Sequence, residues 1–280
     1  LPDRIFSYSD AESGLLLARK APQSLKVRFR HVREIDRESF KESFKATFEA
    51  RVPKSYLESR PLKALMVPEL REVWEHLENE CSQLNEYAKR GQGLSFKSKD
   101  DLPQGAVTSS NKYFYGAARG YLRSDKSLSL LSLRSPSWLN VDGSVIQTAR
   151  MGTQVGTPQV LLNYHAGGRG PWRVRAAVDF NGLVATSNFM IVRPKSQNAS
   201  PEFLAAILNG PVANAYVYAH CGKRENSYPI VRSIPVPHVG QEVQREIEET
   251  VRAFHQQIEL TQSPIGIETC EHLRLLLARL

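Results

Sequence analysis

Residues 158–194, PQVLLNYHAGGRGPWRVRAAVDFNGLVATSNFMIVRP, carry the clearest period in the chain and its densest basic and glycine-rich chemistry. Trp172, Val174, Ala176, Val178 and Phe180 alternate with Arg173, Arg175, Ala177 and Asp179, the two-residue period of a strand with one buried face. Asn181-Gly182 follows, a dipeptide that adopts positive φ cheaply, so a two-residue hairpin is expected with 183–192 returning antiparallel. Val160 to Tyr164 reads as a third strand, joined through the loop Ala166-Gly167-Gly168-Arg169-Gly170-Pro171, whose glycines allow backbone amides close to a ligand.

Upstream, Leu25, Val27 and Phe29 alternate with Lys26, Arg28 and Arg30, a half-exposed strand within a 1–35 segment too small for a core of its own. Residues 39–51 suit a short helix, and the prolines of 53–68 suggest an irregular connector. Pro68 fits a first helical position, and Leu70, Val73, Trp74, Leu77, Cys81, Leu84 and Ala88 share one helical face up to Gly91. Residues 92–154 break into short strands and loops, where Lys112, Arg119, Arg123 and Lys126 are interleaved with aromatic residues. The run Tyr113-Phe114-Tyr115 reads as core in preference to a base-stacking platform.

Downstream, Ser200 caps a helix whose first position is Pro201 and which ends at Asn209-Gly210; Pro211 opens another, to about Ala219. Ile-Pro-Val-Pro at 234–237 is extended, because each residue before a proline is pushed out of the helical region. Val243, Ile247, Val251, Phe254 and Ile258 line one face of a helix over 241–259, and a second helix is expected over 267–280.

The 280 residues hold 41% hydrophobic residues, enough for a core, and 37 Lys plus Arg against 29 Asp plus Glu give a net charge of +8 that favours a polyanionic partner. Cys81, Cys221 and Cys270 are odd in number and far apart, which argues against a disulfide framework and fits a reducing, cytoplasmic setting. No apolar run is long enough for a membrane helix, Leu1 opens no leader, and the missing initial Met leads us to expect a piece of a longer protein. No glycine spacing matches a nucleotide-phosphate loop, and the seven histidines never form a zinc-protease pair.

Arg169, Arg173 and Arg175 are expected to project from one surface, where guanidinium forks suit phosphate oxygens and guanine edges. Lys112, Arg119, Arg123, Lys223 and Arg224 are the further candidates for contact with DNA. The competing account is a solvated strand face with an ion pair to Asp179, and His220-Cys221 is an ordinary neighbouring pair sooner than a thiol and its base.

On these residues the chain resembles a family. Val160 to Pro194, then PEFLAAILNGPVANAYV, then IPVP, are similar to the target recognition domain of adenine-specific amino-methyltransferases of restriction-modification systems, over roughly residues 68–260. The opening LPDRIFSYSDAESGLLLARK resembles the last strands of the catalytic domain in that family. The resemblance implies an α+β fold, a twisted and mainly antiparallel sheet domain flanked by helices, with residues 1–60 as catalytic-domain edge and connector, 61–240 as recognition domain and 241–280 as terminal helices. It implies double-stranded DNA and a methyltransferase catalytic domain as partners, and S-adenosyl-L-methionine as cofactor of the parent enzyme but not of this chain. The family's Pro-Pro-aromatic motif, which holds the target adenine, is missing, so no catalytic residue is assigned and the active site is expected outside this chain. A stand-alone specificity subunit, a protein-interaction module and a small-molecule hydrolase using His165, His220 or Cys221 remain as alternatives.

Overall fold

A computed structural model of the chain describes residues 17, 26–59, 67–153, 156–166, 170, 172–195, 199–221 and 225–261. It is α+β, and it divides into two compact units, 1–75 and 76–280. No described helix is long and apolar enough to cross a membrane.

In the first unit, β1 (Lys26–His31) pairs antiparallel with β2 (Phe48–Pro53), and α1 (Arg37–Ser43) lies between them in sequence. The expected helix over 39–51 therefore stops at Ser43, and its second half is strand. Phe44, at φ 55°, ends the helix, and Phe48, Ala50 and Val52 then alternate inward to a small core with Val27, Phe29, Leu57 and Val67. The connector after Pro53 contains α2 (Lys54–Ser59), so it is less irregular than its prolines suggest. On the exposed face Glu49 accepts hydrogen bonds from Arg28 and Arg30, which hold its carboxyl at about 2.

Helix α3 (Arg71–Glu80) is half the length that its apolar stripe suggests. Beyond Cys81 the chain forms β3 (Ser82–Gln83), α4 (Leu84–Tyr87) and β4 (Ala88–Gln92). A capping box between Gln83 and Glu86 restarts the helix, with Gln83 N donating to Glu86 Oε1 over 2.8 Å. The backbone amides of Leu84 and Asn85 donate to Ile234 and Arg232, so tertiary pairing overrides helical propensity here.

After β5 (Ser95–Phe96) come β6 (Ser109–Ser110), β7 (Ala117–Tyr121), α5 (Ser124–Ser127), β8 (Leu128–Ser129), β9 (Ser132–Leu133), β10 (Ser137–Asn140) and β11 (Ile146–Thr148). The central strands are β12 (Gln159–Asn163), β13 (Ala176–Asp179), β14 (Val184–Ala185) and β15 (Phe189–Pro194). They are followed by α6 (Pro201–Asn209), α7 (Pro211–His220), α8 (Tyr228–Val231), β16 (Pro235–Val236) and α9 (Gln241–Thr261). Ser200 caps α6 by accepting from Phe203 N at 3.1 Å, as its sequence predicts. Ile247, Val251 and Ile258 are buried on α9, which packs against α6. The helix expected over 267–280 lies outside the described residues.

The central sheet runs in the order β13-β12-β15-β4, with every neighbouring pair antiparallel. This corrects the expected hairpin. β12 sits between β13 and β15, so the residues on either side of Asn181-Gly182 do not pair with each other. The turn is nevertheless real: Gly182 N donates to Asp179 O, and Gly182 has φ 58°. Between the two strands β14 pairs in parallel with β7 of a second sheet, ordered β14-β7-β10-β6.

The alternation expected over 172–180 also fails. β13 is only four residues long and every one is buried, while Trp172 is 44% exposed. Both faces of the sheet are covered. Leu161, Ala177 and Ile191, one cross-strand row, join Tyr121, Leu128, Ala185 and Phe189 in a core cluster. Val160, Val178 and Val192 alternate to the opposite face, and α6 packs on these strands. Asp179 ion-pairs with neither Arg173 nor Arg175; its carboxylate accepts from Gln159 Nε2 at 2.9 Å and Leu183 N at 2.6 Å, and Gln159 in turn accepts from Arg193.

Candidate nucleic-acid interface

The extended segment 172–175 leaves the sheet before the glycine-loop end is reached, and no ladder partner serves all its backbone groups. Buried asparagines serve them instead. Asn214 Oδ1 accepts from Val174 N at 2.8 Å, Asn163 Oδ1 from Arg175 N at 2.7 Å, and Asn209 Oδ1 from Ala176 N at 2.9 Å. The carbonyl of Arg173 accepts from Asn163 Nδ2 at 2.9 Å, and Asn209 Nδ2 donates to the Ala176 carbonyl at 2.8 Å. Asn226 adds a bond to the Asn163 carbonyl at 2.9 Å. An amide side chain offers a donor and an acceptor on one rigid plane, so each asparagine imitates a neighbouring strand. With the Asn163 backbone amide donating to the Arg175 carbonyl at 3.2 Å, the backbone of the segment is thereby fixed with little ladder pairing.

That splint separates the two arginines. Arg173 is 6% exposed and its Nη1 donates to the Cys221 carbonyl at 2.6 Å. Arg175 is partly exposed and its guanidinium has no hydrogen bond or ion pair among the described residues. It lines a cleft of about 250 Å3 with Arg123, Ser124, Asp125, His165, Ala166 and Asn188. Arg123 is held there by a two-pronged ion pair to Asp125, with Nε to Oδ1 at 3.0 Å and Nη2 to Oδ2 at 2.7 Å. The pair holds the Asp125 carboxyl below its usual range and raises Arg123. Asn188 Nδ2 and Thr186 Oγ1 both donate to the Leu122 carbonyl, tying the strand end that carries Arg123 to the central sheet.

The other candidates are dispersed. Arg169 of the glycine loop, and Lys223 and Arg224, lie outside the described residues. Lys112 and Arg119 belong to the second sheet and its approaches, away from the cleft lining. Arg119 stacks over Trp138, 5.1 Å from the ring centroid. Of the aromatic run beside Lys112, Phe114 is half-buried, but Tyr113 and Tyr115 are not core, at 63% and 96% exposed, because Leu94, Leu139 and Val184 already fill the space beneath this sheet. His220-Cys221 shows no nucleophile geometry. The Cys221 thiol donates to the Glu225 carbonyl at 3.0 Å, and His220 Nδ1 meets the Tyr216 carbonyl at 2.8 Å.

Sequence reasoning missed the asparagine splint. Its trace is an Asn at the end of an apolar run in Leu-Leu-Asn163, Ile-Leu-Asn209 and Val-Ala-Asn214, a polar residue where the core pattern demands an apolar one.

No family model matches the chain, and no curated protein matches it. Among solved structures it is similar in fold to the type IIL restriction-modification enzyme MmeI in complex with DNA, with a TM-score of 0.50 and 8% identity over 71% of this chain and 33% of that one. It also aligns with the HsdS subunit from Thermoanaerobacter tengcongensis, at a TM-score of 0.38 and 14% identity over 85% of this chain and 63% of that one, a score too low to carry weight. The chain thus spans about a third of the length of the enzyme whose fold it shares.

Proposed function

We propose that this chain recognises duplex DNA sequence for a restriction-modification system, with the cleft between Arg123 and Arg175 facing the DNA. The observation that carries the reading is Arg175: a guanidinium without a partner among the described residues, lining a cleft with Arg123, on a backbone held by three buried asparagines. A guanidinium fork can meet two acceptors of a guanine edge, and a backbone fixed at its root limits the directions from which it does so. Arg123, whose Nη1 is left over by the pair with Asp125, is suited to a phosphate, and His165 lines the same rim. A net charge of +8 and the fold shared with a DNA-bound restriction-modification enzyme support the same reading.

Within it, the parent enzyme is an adenine-specific DNA methyltransferase acting in the cytoplasm, whose catalytic domain and S-adenosyl-L-methionine site lie outside this chain. The direct experiment is selection from a random-sequence duplex library with the full chain. Enrichment of one short motif is expected, and its loss at one base position in Arg175→Ala. Recovery of an unenriched library by a folded chain that retains DNA would reduce the reading to nonspecific binding.

A further inference from the structure

The second sheet has an outward face that the proposed function leaves unused. Along β7 and β10 the alternation sends Ala118 and Leu139 into the cluster of Leu94 and Val184, and Arg119 and Trp138 to the other side. Arg119 and Trp138 are direct cross-strand partners, and Ser110 of β6 stands opposite Trp138 on its far side, so the row reads Arg, Trp, Ser across three strands. The guanidinium lies 5.1 Å from the indole centroid. Tyr113 meets the same indole edge-on at 4.9 Å and 78°. Lys112 is exposed beside it, and Tyr115 projects into solvent.

Two features show that this cluster is more than surface packing. Tyr113 and Tyr115 stay exposed although the sheet has a filled core on its other face, so they are not needed to close it. Neither Lys112 nor Arg119 has a carboxylate partner among the described residues, so the charge beside the rings is uncompensated. Aromatic faces with unpaired cations and no acidic residue complement a ligand that is flat, π-rich and anionic at once. A nucleotide has that chemistry, but the base of a paired, stacked duplex does not offer its face.

We propose that Tyr113, Trp138 and Arg119 form a stacking platform for an extrahelical base of bound DNA, with Lys112 meeting the adjoining phosphate. The proposal rests on the DNA reading above and deepens it. An aromatic platform contributes enough per base that losing one ring lowers affinity for the unstacked base by about tenfold to a hundredfold.

The test uses the full chain and three fluorescent duplexes of one sequence: fully paired, with one extra unpaired nucleotide, and with an abasic residue at that bulge. The expected result is a preference of about tenfold for the bulged over the paired duplex, lost on the abasic probe. The ratio should fall to near one in Tyr113→Ala, at an exposed position, and in Arg119→Gln, at a half-buried one, with circular dichroism checking that both variants fold. Three results would overturn the platform while leaving the DNA reading in place: no preference in a chain that binds the paired duplex, equal preference for the abasic bulge, or a preference retained in both variants. A chain that binds none of the three duplexes removes the DNA reading and the platform with it.

Discussion

The two sheets of the larger unit solve opposite problems. The central sheet is covered on both faces, and β12 and β13 have no exposed residue. The second sheet is covered on one face only, and Arg119, Trp138 and Tyr113 remain accessible on the other. The difference teaches where each kind of recognition can be built. A sealed sheet can hold the backbone of one emerging segment at Arg175, whereas an open face can offer broad aromatic surface but little constraint.

Gly182 gives the sharpest way to break the comparison. A Cβ there would stand 2.3 Å from the Thr157 carbonyl oxygen and 2.4 Å from Thr157 N, in a backbone with φ 58°. Left-handed strain and backbone overlap together predict a loss of about 2 to 6 kcal/mol for Gly182→Val. Urea unfolding measures it, and a loss below about 0.5 kcal/mol, the scale of an ordinary surface change, would mean that the turn is not locked into the sealed sheet.

A smaller effect separates splint from packing. Asn209→Ala leaves the buried amide of Ala176 without its acceptor, while the Ala176 carbonyl keeps the Leu131 amide as donor, at about 1 to 3 kcal/mol. The splint also predicts altered DNA binding in this variant at temperatures where it remains folded, since Arg175 is one residue before Ala176. Unchanged binding there would detach the arginine from the splint.

The smallest effect is a pH slope. Burial raises the Asp179 carboxyl in the folded chain, against the opposing hydrogen bonds from Gln159 and the turn amides. Ionisation therefore costs the folded state more than the unfolded one. Its contribution to stability is most favourable below about pH 4, where the carboxyl is protonated in both states, and declines as pH rises through the folded value. The stability of Asp179→Asn relative to the parent should accordingly grow between pH 4 and pH 7. A flat difference across that range would place Asp179 in a more polar site than the sealed sheet allows.

Local signals were the legible ones. Ser200 and Pro201, the Asn181-Gly182 turn, β12 and the stripe of Ile247, Val251 and Ile258 all follow from neighbours in sequence. What was not legible depends on distant partners. The helix expected to Ala88 is cut because Leu84 and Asn85 find carbonyls at Ile234 and Arg232. Alternation over 172–180 suggested an exposed face, but α6 and the cluster around Tyr121 cover both sides. For the site, Arg175 and Arg123 were both named, yet their shared cleft and the burial of Arg173 follow from asparagines 12 to 51 residues away from Arg175.

The central claim is that the Arg175 cleft faces DNA, and salt dependence of duplex binding tests it most directly. For the full chain, the logarithm of affinity should fall linearly with the logarithm of salt concentration, by about 0.9 per phosphate contacted. Arg123→Ala should reduce that slope by about one for every sequence. Arg175→Ala should leave the slope nearly unchanged and cost about 1 to 3 kcal/mol on the selected site alone. Parental slope and parental affinity in both variants would contradict the account and place the DNA surface elsewhere on the chain.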